Sequence, residues 1–179
     1  MILGAIVWVG FQIADQLGAP GIPSATGSGA CTAADAVSIQ LTYSDGHGVS
    51  ACTHDPPACQ SRPVAPKFAL DNQLRSATRR YILFIGWNVT PSAGTNGQVL
   101  HFEPQAFLPK GPPSSTDNVA DYATLELTPR DPTEGGWTVG SGTLTLSSNA
   151  GEVSGSIDGV FNAGASAPSA VTGRFGCKG

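Results

Sequence analysis

Alternation of apolar and polar residues is the dominant pattern along this chain. In AVSIQLTYS, Val37, Ile39, Leu41 and Tyr43 fall on one side and small polar residues on the other. This period of two is typical of a β-strand with one face in water. The same alternation recurs in DYATLELT, GWTVGSGTLTLSS, EVSGSIDGVF and AVTGRFGC. The predicted inward sets there are Leu125/Leu127, Leu144/Leu146, Val153/Ile157/Phe161 and Val171/Phe175, with Cys177 in phase with the last.

The middle of the chain is less uniform. RYILFIGWNV is apolar on both faces, which predicts a central strand covered on both sides. The turn residues PSAGTNGQ then predict that QVLHFEP returns as its hairpin partner. Residues 45–66 are rich in proline and are expected to form a surface loop, whereas FALDNQLRSATRR is compatible with a short helix or an edge strand.

Composition narrows the fold class. Among 179 residues there are 23 glycines and 14 prolines, and only 12% of the residues are charged. Turn formers are therefore abundant and helix formers scarce. The expected fold is all-β, an antiparallel β-sandwich or a short barrel. The formal net charge of -4, with Arg79-Arg80 as the single adjacent basic pair, argues against nucleic acid as a partner.

The N-terminal segment suggests export. The apolar run Ile2–Ala14 is shorter than the roughly 20 residues that span a bilayer, and it fits a secretory signal peptide. Residues 1–30 are thus predicted to be a signal peptide, or an N-terminal anchor with a Gly/Pro/Ser-rich tether, before one domain at residues 31–179. No basic residue precedes the run, and a first strand AIVWVGFQI stays open as an alternative. The expected location is secreted or cell surface.

The cysteines also suggest export. Four cysteines in an exported chain favour disulfide bonds. Loop length predicts the pair Cys52–Cys59, and the strand phase of Cys177 then predicts Cys31–Cys177. Because Cys31 follows Ser28-Gly29-Ala30, a lipid on Cys31 stays open, and it would be a second route to the membrane beside residues 1–30.

The stretch CTHDPPAC offers the most chemistry. Asp45, His47, His54 and Asp55, with free thiols, would suit zinc or copper. Oxidation of the thiols would leave exposed imidazoles and carboxylates, which bind a metal ion only weakly. We therefore expect a disulfide-closed loop with no metal and no cofactor, and keep a metal-binding extracellular protein as an alternative.

Catalytic motifs are weak. The chain contains no G-x-S-x-G, and V-G-S-G at residues 139–142 lies within a predicted strand. A glycosidase would need two carboxylates across a cleft. The candidates fall on loops or outward positions: Asp117, Asp121, Glu126, Asp131 and Glu134. A non-catalytic protein is expected, with a secreted hydrolase as an alternative.

Exposed aromatic residues could bind a ligand. Tyr122 is out of phase with Leu125, and Trp137 follows two glycines where a strand begins, so both are candidate ligand-binding residues. Trp87 is in phase with Leu83 and is expected in the core.

The C-terminal strands carry a resemblance. GSGTLTLSSNAGEVSGSIDGVF followed by VTGRFGC resembles the closing strands of small exported bacterial lipoproteins of uncharacterised function. The resemblance covers about a quarter of the chain and implies an exported β-sandwich or short barrel without assigned catalytic residues. The expected role is binding an extracellular ligand or building an envelope component.

Overall fold

The computed structural model describes residues 31–89, 94–103, 121–131, 133–161 and 167–178. The predicted signal or anchor segment, residues 1–30, lies outside this range, as does the proline- and serine-rich stretch 108–118. Within the described ranges, no helix is long and apolar enough to cross a membrane.

Strands account for the regular structure of the described residues, which confirms the all-β prediction. In chain order they are β1 (Val37–Tyr43), β2 (Gly48–Thr53), β3 (Gln60–Ser61), β4 (Phe68–Arg75), β5 (Arg80–Trp87), β6 (Gln98–Phe102), β7 (Tyr122–Pro129), β8 (Trp137–Asn149), β9 (Glu152–Phe161) and β10 (Pro168–Lys178).

All these strands belong to one large sheet. Its order is β2-β1-β10-β9-β8-β6-β7-β5-β4-β3, with further pairings between β8 and β7 and between β2 and β4. The pairs are antiparallel except β6 with β7, which is parallel. Strand β2 pairs with β4 at Cys52 and Arg75. A strand at one end of the sheet order therefore pairs with a strand near the other end.

The inward-facing side chains of the strands pack into one hydrophobic cluster. Trp87, Tyr81 and Leu144 are among its fully buried members. The inward sets predicted from alternation are confirmed, with Val153 partly buried at the margin. Cys177 faces the core, as its phase predicted, and is 3% exposed.

One prediction about the middle of the chain is wrong. Residues 45–66 are not wholly loop, because Gly48–Thr53 forms β2 along β1. Its inward residues, Val49 and Ala51, lie among polar and proline residues, which obscured the strand pattern. The segment left open between helix and edge strand forms β4 and a tight turn.

The predicted hairpin between RYILFIGWNV and QVLHFEP is also wrong. Both edges of β5 are occupied, by β4 on one side and β7 on the other. Strand β6 therefore pairs with β8, where Leu100 lies opposite Leu144, and with β7.

Two glycines mark close approaches of neighbouring strands. Gly155 lies opposite Phe175 of β10, and a Cβ at Gly155 would lie 2.5 Å from Cε1 of that ring. The aromatic side chain thus covers the glycine from the adjacent strand. At Gly173 a Cβ would lie 2.4 Å from the backbone oxygen of Ser38, so β1 and β10 meet there backbone to backbone.

Candidate functional site

The disulfides differ from the predicted pairs. Cys31 is bonded to Cys52 and Cys59 to Cys177, with Cα–Cα distances of 5.7 and 5.3 Å. The prediction failed because Cys52 is not in a loop but in β2, opposite Ser38 of β1. The segment before Cys59 instead runs beside the end of β10, where the amide of Cys59 donates to the carbonyl of Lys178 at 2.9 Å.

The four candidate metal ligands are not brought together. Strand β2 separates Asp45 and His47 from His54 and Asp55, and six residues of strand span about 17 Å. His47 Nδ1 lies 2.5 Å from Asp45 Oδ1, and its ring stacks on Tyr43 with centroids 4.1 Å apart. Hydrogen bonds from the backbone and ring of His47 lower the pKa of Asp45. Asp55 is exposed.

His54 contacts Asp35, a residue that no sequence pattern indicates. Its Nδ1 lies 2.5 Å from Oδ1 of Asp35, a carboxylate that is 4% exposed. Ligand atoms of Cys31, Asp35 and Cys52 lie close together here, and His54 contacts the same carboxylate; we name these four residues the thiol cluster. Its two sulfurs form one of the disulfides.

The candidate aromatic residues do not form a shared platform. Trp137 is half-buried, lies opposite Leu127, and makes an edge-to-face contact with Phe161 at 6.4 Å between centroids. Tyr122 is half-buried five residues before Leu127 in β7, about 17 Å along the strand.

A polar cleft lies where the turn between β4 and β5 meets the end of β7. Its volume is about 370 Å³, and its lining residues are Thr78, Arg79, Arg80, Pro129, Arg130, Asp131 and Glu134. We name it the arginine cleft. Pairing of β5 with β7 assembles it, because the amide of Arg130 donates to the carbonyl of Arg80 at 2.9 Å.

The turn that carries Arg79 is held by its own side chain. Ser76 Oγ accepts from the amides of Thr78 at 3.3 Å and Arg79 at 2.9 Å. Such a serine turn satisfies backbone donors and fixes the course of the chain. Arg79 and Arg80 are thus presented from a defined turn.

The arginines of the cleft are unequally neutralised. Arg79 Nη1 lies 2.7 Å from both carboxylate oxygens of Glu134. Asp131 accepts from the hydroxyl of Thr133 at 2.7 Å and from its amide at 2.9 Å, and these bonds lower the pKa of Asp131. In the described part of the chain, Arg80 and Arg130 have no ion-pair partner.

Beneath the arginine cleft, the inner face of β5 carries a buried phenol. Tyr81 is fully buried, and burial is the main cause that raises the pKa of its hydroxyl. The hydroxyl of Tyr43 lies close enough to raise this pKa further, although the two hydroxyls do not form a well-directed hydrogen bond.

Sequence reasoning missed the arginine cleft. The sequence indicates Arg79-Arg80 as a basic pair and Asp131 and Glu134 as surface carboxylates, but Arg130 lies far along the chain from that pair. The signal that could have joined them is the pairing of β5 with β7, which brings Tyr81 opposite Pro129.

Comparisons with known proteins do not assign the chain to a family. No family model matches the chain, and no curated protein or solved structure matches it.

Proposed function

We propose that this chain is an exported, non-catalytic binding protein whose arginine cleft holds an anionic group of an extracellular ligand or envelope component. The observation that carries the proposal is the pair Arg80 and Arg130, which lack ion-pair partners among the described residues and line one cleft. The cleft gathers three arginines against two carboxylates, in a chain whose formal net charge is -4.

The chemistry of arginine favours anion binding. A guanidinium stays protonated at any ordinary pH, so it does not exchange protons as a general acid or base would. Its planar set of N–H donors matches the two oxygens of a carboxylate or phosphate. The cleft volume of about 370 Å³ lies in the range of about 300–1,000 Å³ typical of small-molecule sites.

Export is the second part of the proposal. Two disulfide bonds are consistent with an extracytoplasmic location. We infer that residues 1–30 direct export as a signal peptide or anchor. A lipid on Cys31 would occupy the sulfur that is bonded to Cys52, so export without lipid on Cys31 agrees better with this pairing.

The architecture is the third part. We infer a short barrel rather than a two-sheet sandwich, and the pairing of β2 with β4 supports this because it links strands near opposite ends of the sheet order. Closing a sheet on itself removes its exposed edges.

Titration with simple anions tests the binding proposal. We would add inorganic phosphate, and separately citrate, to the folded domain at low ionic strength and follow binding by NMR and calorimetry. The variant Arg80→Gln/Arg130→Gln should weaken binding by about tenfold or more, because a charged hydrogen bond contributes roughly 1.5–3 kcal/mol.

The matched control is Arg62→Gln/Lys67→Gln, which also removes two positive charges, and Lys67, like Arg62, is not among the residues that line the cleft. Arg62 carries the same charge but lies over the ring of Phe84, 6.0 Å from its centre, and does not line the cleft. This double variant should leave anion affinity unchanged. Equal weakening in both variants would mean that the anions respond only to overall charge, and the proposed site would be abandoned.

A further inference from the structure

We propose that the thiol cluster becomes a zinc site when the Cys31–Cys52 disulfide is reduced. The ligands would be the sulfurs of Cys31 and Cys52, a carboxylate oxygen of Asp35, and a ring nitrogen of His54. This inference uses none of the residues of the arginine cleft.

Three of the proposed ligand atoms already lie close together. The sulfurs of Cys31 and Cys52 and a carboxylate oxygen of Asp35 all lie within 4.8 Å of one another. Zinc binds thiolate sulfur at about 2.3 Å and carboxylate oxygen at about 2.0–2.2 Å in a tetrahedron, so its ligand atoms lie within about 4 Å of one another. Small side-chain rotations would therefore bring these three atoms around one ion once the S–S bond is open, and rotation of the exposed His54 ring would add the fourth ligand.

The burial of the Asp35 carboxylate favours a cation beside it. Its side chain is buried, and Oδ1 makes no directed hydrogen bond with any described residue. Oδ1 lies 2.5 Å from Nδ1 of His54, whose side chain is 77% exposed. A buried carboxylate is costly unless a donor or cation compensates it, and a metal ion held between this carboxylate and the imidazole would supply that compensation.

Two of the ligands, Asp35 and Cys52, are positioned independently of the disulfide. The carbonyl of Thr32 accepts from Asp35 N at 3.2 Å and from Arg174 Nη2 at 2.6 Å, and Asp35 Oδ2 accepts from the amide of Thr32. Cys52 is held by β2, paired with Ser38. Opening the S–S bond therefore leaves Asp35 and Cys52 on the same supports.

The reaction that exposes the site is a two-electron reduction. A dithiol reductant supplies two electrons and two protons, the Cys31–Cys52 bond breaks, both sulfurs become thiols, and the reductant leaves as its own disulfide. Zinc then binds both thiolates and releases their two protons to solvent. In the oxidised chain both sulfurs are consumed, and no zinc is expected at this cluster.

Cobalt titration of a simplified chain tests the proposal. In Cys59→Ala/Cys177→Ala the thiol cluster holds the remaining cysteines, and a phosphine reductant opens their bond. One equivalent of Co²⁺ should then give thiolate charge-transfer and tetrahedral absorption bands, which Zn²⁺ abolishes. Asp35→Asn and His54→Ala should each weaken Co²⁺ binding by at least about tenfold, since even outer-sphere partners contribute 10- to 100-fold. The exposed neighbour Asp55→Asn is the matched control and should have no effect.

Several results would overturn this inference. They are absence of the charge-transfer band, the same Co²⁺ affinity in the oxidised chain, or an affinity insensitive to Asp35→Asn or His54→Ala. Should the reduced variant lose its strand signal in circular dichroism, one equivalent of Zn²⁺ must restore it, because metal binding is linked to folding. Failure to restore it would equally end the proposal.

Discussion

Gly173→Ala tests how closely β1 and β10 approach. An added Cβ would lie 2.4 Å from Ser38 O, 3.0 Å from Ile39 Cγ2 and 3.1 Å from Ile39 Cα. Even close C–H···O contacts keep carbon and oxygen about 3.3–3.6 Å apart. Because β1 is paired with β2 on its other side, its backbone cannot move without disturbing a second strand.

The expected cost follows from that crowding. Inserting a methyl group into a packed site costs about 1–3 kcal/mol. Gly176→Ala in the same strand is the matched control, since its Cβ would lie 3.9 Å from Ala36 O, an ordinary contact. Replacing glycine where space allows stabilises by about 0.4–1 kcal/mol through the unfolded chain. Both variants share this gain, so they should differ by the crowding cost alone, about 1–3 kcal/mol.

Urea unfolding measures this difference. Fluorescence of the buried Trp87 can follow the transition with both disulfides intact. With a denaturant slope of about 1–3 kcal/mol/M, the two midpoints should differ by on the order of 1 M. Equal midpoints with unchanged slopes would show that β1 and β10 are not packed backbone to backbone at Gly173.

Three further outcomes are expected. Leu144→Asp should abolish the soluble fold by burying an unpaired carboxylate, whereas Thr145→Asp on the other face should cost little, and equal yields and midpoints would contradict a one-sided strand. Because burial raises the pKa of Tyr81, the stability from its neutral phenol is present below about pH 10 and declines as the pH rises further. Tyr81→Phe should lessen this decline in alkaline unfolding, and an unchanged profile would count against it. Carbon NMR should place the pKa of Asp131 below 3.8, so the stability that its carboxylate contributes is lost as the pH falls through that lower value. Thr133→Ala should raise the pKa of Asp131, and no rise would refute the role of the Thr133 hydroxyl.

Alternation predicted which residues face the core, but not which strands are neighbours. Leu144 and Phe175 could be assigned inward because a period of two determines a face. The partner of β6 could not be found this way, since Leu100 packs equally well beside any apolar strand, and pairing depends on which edges remain open. Strand β2 was overlooked because Ala51 gives too weak an apolar signal.

The candidate sites were harder to predict than the core. Cysteine spacing favoured the short loop from Cys52 to Cys59, yet extended backbone in β2 carries Cys52 to Cys31 instead. Arg80 and Arg130 meet only through pairing of β5 with β7. Both features depend on contacts between distant parts of the chain, which local patterns do not encode.

The position of β10 in the sheet has a consequence for biosynthesis. Among the described strands β10 is the last in the chain, yet it lies between β1 and β9. At about 5–20 residues per second, a ribosome would finish β10 on the order of ten seconds after β1. Until then β1 lacks one of its two neighbours and the sheet cannot be completed. The part of the core around Val171 and Phe175 can therefore close only after synthesis has passed β10.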